Sequence, residues 1–196
     1  MSDLLKERER AFEADYFRKQ DEKLLAKMRE RAALQEVASA LADKLRVDDA
    51  ELLRRVAALG LDEGSGAAIL LAPLVQVAWA EGHVSERERE TVLEIAASRG
   101  VGPGSPARVK LESWLKTRPD DSVFDTAMEV LRVAESVLPI EERQERVKGV
   151  VDACRRVAEA SGGGLGKLLG MKSGVSGDEQ AVLEAITAKL RLEPGR

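Results

Sequence analysis

Histidine, cysteine and tyrosine each occur once in this chain of 196 residues, and aromatic residues make up 3% of it. With one His83 and one Cys154 there is no Ser/His/Asp or Cys/His constellation for nucleophilic catalysis and no internal disulfide. Cys154 falls in mid-helix among apolar neighbours and reads as an inert buried thiol. His83, without partners at ligand spacing, reads as a solvated turn residue. No basic block stands out and the net charge is −4, which argues against a general nucleic-acid binder. The longest apolar run, 67–80, is interrupted by Pro73 and Gln76 and is too short to span a bilayer. No charged-then-apolar leader opens the chain, and the expected location is cytoplasmic. Cofactor fingerprints are missing as well. Gly162-Gly163-Gly164-Leu165-Gly166-Lys167-Leu168 fails as a phosphate loop, because Ser161 and Leu168 stand where Gly and Ser or Thr are needed and no strand precedes it. Residues 162–174 read as a flexible linker, with Leu165, Leu168, Leu169 and Met171 forming a small apolar tip. A non-enzyme without a cofactor is the expectation.

What is present is helix. Residues 2–46 contain neither Gly nor Pro and are dominated by Leu, Ala, Glu, Lys, Arg and Gln, the strongest helix formers. Their apolar positions, including Phe12, Tyr16, Phe17, Leu24, Leu25, Met28, Val37, Leu41 and Leu45, make a broken helical stripe rather than a strand alternation. Up to Arg31 the stripe is thin and surrounded by both charges; from Ala32 it broadens. A helix gains most of its stability from packing an apolar face. The C-terminal half should therefore dock on the body and the N-terminal half should project. This divides the chain into an N-terminal partner-binding helix, 1–46, and a helical domain, 47–196.

The domain carries its own punctuation. Asp48-Asp49-Ala50-Glu51 reads as a capping box with Asp48 as N-cap, opening a helix through Leu52, Leu53, Val56 and Leu59 that stops at Gly60. The most apolar helix follows at 67–81, with Pro73 kinking it or starting its second half. Ser85-Glu86-Arg87-Glu88 is a second capping box, ahead of Val92, Ile95 and Ala96. Ser105 and Pro106 start a helix whose apolar residues are Val109, Leu111, Trp114 and Leu115. Helices at 122–138, with Phe124, Met128, Leu131 and Val137, and at 140–161 are separated by Pro139. Ser176-Gly177-Asp178-Glu179 caps the last helix, through Val182, Leu183, Ile186 and Leu190. The predicted fold class is all-α.

Two segments echo each other. Val77-Ala78-Trp79-Ala80-Glu81-Gly82, then Val84-Ser85-Glu86-Arg87-Glu88 and Val92-Leu93-Glu94, parallels Val157-Ala158-Glu159-Ala160-Ser161-Gly162, then Val175-Ser176-Gly177-Asp178-Glu179 and Val182-Leu183-Glu184. The loop 162–174 is an insertion in the second copy, and two such units suggest a pseudo-twofold bundle. Ala78-Trp79-Ala80-Glu81-Gly82-His83-Val84-Ser85-Glu86-Arg87-Glu88 resembles the signature Ala-x-Ala-Asp-Gly-x-Val-x-x-x-Glu of TerB-like domains, found in tellurite-resistance and stress-response proteins. The resemblance covers about 50–196 and implies two helix–turn–helix units. It also implies a divalent cation held by acidic turn residues, here Glu81, Glu88 and Glu179. Ser161 stands where another ligand would be, Glu81 replaces an Asp, and Glu88 and Glu179 already serve as caps, so simple helix capping is the favoured reading.

A second resemblance concerns the N-terminal helix. Arg8-Glu9, Ala11, Glu13, Tyr16-Phe17-Arg18, Gln20 and Leu25-Ala26 are similar to the inhibitory helix of the mitochondrial ATPase inhibitor protein, in register over 7–28. The run from Arg8 to Ala14 also resembles the start of the alphaproteobacterial zeta subunit. Both families block ATP hydrolysis by inserting a helix between catalytic subunits of the F1 motor. The resemblance implies that Glu13, Tyr16 and Phe17 are the central contacts, flanked by Arg8, Glu9, Phe12, Arg18, Gln20, Leu25 and Met28. It also implies an F1-type ATPase as protein partner. The mitochondrial family carries histidines beyond this helix, and none occurs here, so no histidine-based pH switch is expected in it.

Overall fold

The computed structural model describes the backbone of residues 2–161 and 175–191, and side chains from Tyr16 onward except at 30, 34, 36, 43, 44 and 161. Among the described residues there are eight α-helices, one 3₁₀ segment and no strand. The helices are α1 (Ser2–Leu45), α2 (Ala50–Ala58), α3 (Ala72–Ala78), α4 (Glu86–Ser98), α5 (Pro106–Lys116), α6 (Asp121–Ser136), α7 (Ile140–Ser161) and α8 (Gly177–Arg191). The 3₁₀ segment Gly66–Leu71 leads directly into α3. The all-α expectation is met.

The core is assembled around α3. All its residues except Gln76 are buried, as its sequence Ala-Pro-Leu-Val-Gln-Val-Ala requires. Pro73 does not kink a long helix. It sits in the first turn of α3, where its missing N–H leaves no hydrogen bond unmade. The helix expected to reach residue 81 ends at Ala78, and Gly82 turns the chain at φ +80. Around α3, the two echoing units interlock. Helix α3 packs on α7 and α8, while α7 packs on α3 and α4, so each unit's first helix touches both helices of the other. Both expected caps form. Ser85 N–H donates to Glu88 Oε2 at 2.7 Å and Ser176 N–H to Glu179 Oε2 at 2.7 Å, with the return bonds to Ser85 Oγ and Ser176 Oγ at 3.3 and 3.2 Å.

Three sequence expectations need correction. Asp49, not Asp48, is the N-cap of α2: its Oδ1 accepts from Glu51 and Leu52 N–H, each at 3.0 Å. Glu51 is then one residue too early to return a bond, and no capping box forms there. Val109 is 61% exposed, because Ala107, Leu111, Trp114 and Leu115 make the buried face of α5 and position 109 is nearly opposite Leu111. Val137 is 72% exposed, since it follows the last residue of α6 and caps it.

Among the residues whose side chains are described, helix α1 joins this core by its last turns. Ala38, Leu41 and Leu45 are buried, against α2 and the 3₁₀ segment. Gly66 makes the close approach possible: a Cβ built there would lie 2.1 Å from Leu41 Cδ2. The helix stops at Arg46, which is left-handed at φ +54, and Val47 N–H reaches back to Ala42 O at 3.3 Å. This is the six-to-one bond of a Schellman turn, in which glycine usually takes the left-handed position. Arg46→Gly should therefore stabilise the fold by about 1 kcal/mol, read as a higher urea midpoint. An unchanged or lower midpoint would show that the arginine side chain earns its place through contacts.

Candidate functional site

The candidate surface is the part of α1 that the body leaves uncovered. Tyr16, Phe17, Leu24, Leu25 and Met28 are large apolar residues on one helix, and each is between 51% and 62% exposed. Arg18 and Gln20 are also exposed. Arg8, Glu9, Phe12 and Glu13 lie on the same helix, but their side chains fall outside the described residues. The Tyr16 and Phe17 rings meet edge to face, with centroids 5.9 Å apart and planes at 75°.

The helical screw sorts these residues. At about 100° per residue, Phe17, Leu24 and Met28 fall within about 40° of one another, flanked by Tyr16 on one side and Leu25 on the other. The buried residues Ala38, Leu41 and Leu45 point roughly a quarter-turn from Phe17, Leu24 and Met28, along the line of Tyr16. Tyr16 thus continues the line of the docking face, whereas Phe17, Leu24 and Met28 do not. These three present a second face, and large apolar residues exposed next to one another mark interaction surfaces. Leu24 belongs to this row but was not among the expected contacts. Its spacing of seven from Phe17 was the signal for it.

The acidic turns form a different arrangement. Glu88 and Glu179 are buried, at 3% and 0% exposure, each tied to the serine it caps. Burial pushes the Glu88 carboxyl above its ordinary value; its bonds with Ser85 oppose this, and the charges of Glu179 and Glu81 add to the rise. Glu81 itself is exposed, as is His83, whose Nδ1 lies 3.4 Å from Glu81 O. Among the described residues no group of three or more His, Cys, Asp or Glu side chains is arranged to hold a metal.

The raised Glu88 carboxyl has a sign that can be checked. A folded-state pKa above 4.5 means that the folded chain holds this proton more tightly than the unfolded chain does. Ionised Glu88 therefore subtracts stability above its raised pKa, and the loss is recovered as pH falls towards 4.5. Glu88→Gln keeps an acceptor for Ser85 N–H but lacks the proton equilibrium. Denaturant midpoints measured from neutral pH downwards should show the native chain gaining on this variant. A native chain that loses ground instead would mean that the carboxylate is favoured in its charged form.

Cys154 is fully buried, and burial pushes its thiol up to about 12 against the opposing charge of Arg99. A thiol so protonated and enclosed is a poor nucleophile. A disulfide-exchange reagent should leave the native chain unlabelled and modify Cys154 fully in denaturant; rapid labelling of the native chain would contradict the packing around it.

Compared with protein-family models, with curated proteins and with solved structures, the chain has no match.

Proposed function

We propose that this chain is a non-catalytic regulatory protein that inhibits an F1-type ATPase by placing its N-terminal helix between catalytic subunits. The observation that carries the reading is the row of Tyr16, Phe17, Leu24, Leu25 and Met28, exposed on a helix whose buried residues, among those described, lie in its last turns. Aromatic residues bury large area at small entropic cost, and Arg18 beside them supplies charge-assisted hydrogen bonds to a carboxylate or carbonyl. The resemblance of 7–28 to F1-inhibitory helices is what supports an F1-type ATPase as the partner. The mechanism is steric: a bound helix holds a catalytic interface in one conformation, and no bond is made or broken. The body acts as anchor and regulator, and the expected setting is the cytoplasm.

The test uses the full chain and a synthetic peptide of residues 2–46, each added to purified F1-ATPase from the source organism while ATP hydrolysis is followed. Saturable inhibition by both supports the reading. No inhibition by either, well above the enzyme concentration, removes it.

A second reading makes the body a TerB-like stress-response module with weak divalent-cation binding. Its support is the likeness of the turn at 81–88 to the TerB-like signature, with the Glu81 and Glu179 charges adding to the rise in the Glu88 carboxyl. Calcium or magnesium binding by calorimetry, lost in Glu81→Gln/Glu179→Gln, supports it; no heat in the native chain rules it out. The two readings concern different parts of the chain.

A further inference from the structure

Helices α6, α7 and α8 enclose a groove of about 690 Å³, within the range of small-molecule sites. Ile140, Val147, Val151 and Leu190 give it apolar walls. Its charge is opposite to that of the chain. Five Lys or Arg residues line it against the two carboxylates Glu135 and Asp152, in a protein of net charge −4. Asp152 already lies 3.9 Å from Arg155.

Two of the arginines have an unmet need. The Nε atoms of Arg132 and Arg143 are buried and have no hydrogen-bond partner. Arg143 is held in place by its other end, where Nη2 donates to Ser136 O at 3.1 Å. Glu135 is buried nearby, and Arg143 and Arg146 counter the rise that burial imposes on its carboxyl, yet it accepts from neither Nε. A buried donor without an acceptor is costly. The Nε edge of a guanidinium is also the part that pairs side by side with carboxylate or phosphate oxygens.

We propose that this groove binds an amphipathic organic anion, with a carboxylate or phosphate head on Arg132 and Arg143 and an apolar body along Ile140, Val147, Val151 and Leu190. The site is independent of the α1 surface, and its outcome does not bear on the inhibitor reading. An oxyanion reaches the stranded donors once the two guanidinium groups turn towards the groove, and it lowers the local positive charge, while the apolar walls select for a hydrocarbon portion. An acidic helical segment of another protein carries similar chemistry, but the groove's volume is that of a small molecule.

The experiment is calorimetric titration of the full-length chain with decanoate, decyl phosphate, decyltrimethylammonium and inorganic phosphate, all below micelle-forming concentrations. Expected is one-to-one binding of decanoate or decyl phosphate, the stronger of the two identifying the head group. Inorganic phosphate should bind far more weakly and the cation not at all. Arg132→Gln/Arg143→Gln should weaken anion binding by about tenfold or more. Because these side chains are partly buried, Ile140→Glu provides a second test. Ile140 is 61% exposed and is the first residue of α7, where a carboxylate favours the helix. This variant should fold normally and lose anion binding. The proposal is overturned if neither anion binds, if the cation binds as well as the anions, or if binding is unchanged in both variants. It is also overturned if an acidic amphipathic peptide displaces the anions and binds more tightly, which would make the groove a protein-docking surface.

Discussion

Tyr16→Ala/Phe17→Ala is expected to abolish inhibition of F1-ATPase while leaving the fold untouched. Buried aromatic anchors at interfaces commonly contribute about 2 kcal/mol each, and losing two of them weakens binding by roughly a thousandfold. Both rings are more than half exposed in the free chain and touch each other rather than the core. Their removal should therefore shift the melting temperature by less than a degree or two, since exposed substitutions cost about 0.5 kcal/mol or less. The combination of unchanged melting and lost inhibition is the decisive pattern. A large drop in melting temperature would place these rings in the fold and take away the main support for an interaction surface. Full inhibition by the variant would show that Tyr16 and Phe17 are not the anchors of the contact.

The largest effect on stability is expected at Leu41. This residue is fully buried where α1 crosses the 3₁₀ segment, and truncating such a leucine costs about 2–5 kcal/mol. Gly66→Ala should cost about 1–3 kcal/mol by a different route, since its new methyl meets Leu41 Cδ2 at less than contact distance. The two changes should not add. In Leu41→Ala/Gly66→Ala the methyl enters space that the leucine has vacated, and the double variant should be more stable than the sum of the single losses predicts. Urea unfolding of the four chains measures this coupling. Additivity would mean that α1 does not seat on Gly66.

The sequence made some of this architecture readable and hid the rest for definite reasons. Ser85 with Glu88 and Ser176 with Glu179 were legible as caps because the reciprocal bonds run between residues three apart and need no tertiary information. Pro73 left two outcomes open, and the structure takes the second, with a 3₁₀ segment over Gly66–Leu71 running into α3 and Pro73 in its first turn. The spacing to Glu51 singled out Asp48, but Asp49 is the cap, because its carboxylate and not that of Asp48 meets the Glu51 and Leu52 N–H groups. On α1, Phe17 and Met28 were found through a resemblance, and their exposure could not be read from composition, since aromatics on a helix are more often core. The basic groove was invisible altogether. Arg132, Arg143 and Leu190 come from three helices, and only packing brings them together.

The way α1 ends has a mechanical consequence. An unbroken helix gripped at one end is a cantilever, and its grip is the short span from Ala38 to Leu45. Tyr16 lies 25 residues before Leu41, or ~37 Å along the axis. A tilt of about 10° at the grip would carry Tyr16 through ~6 Å, roughly the width of a side chain. Leverage of this kind turns a small repacking beside Gly66 into a change of reach at the tip, so the stiffness of the Leu41 seat sets how accurately the aromatic row is aimed.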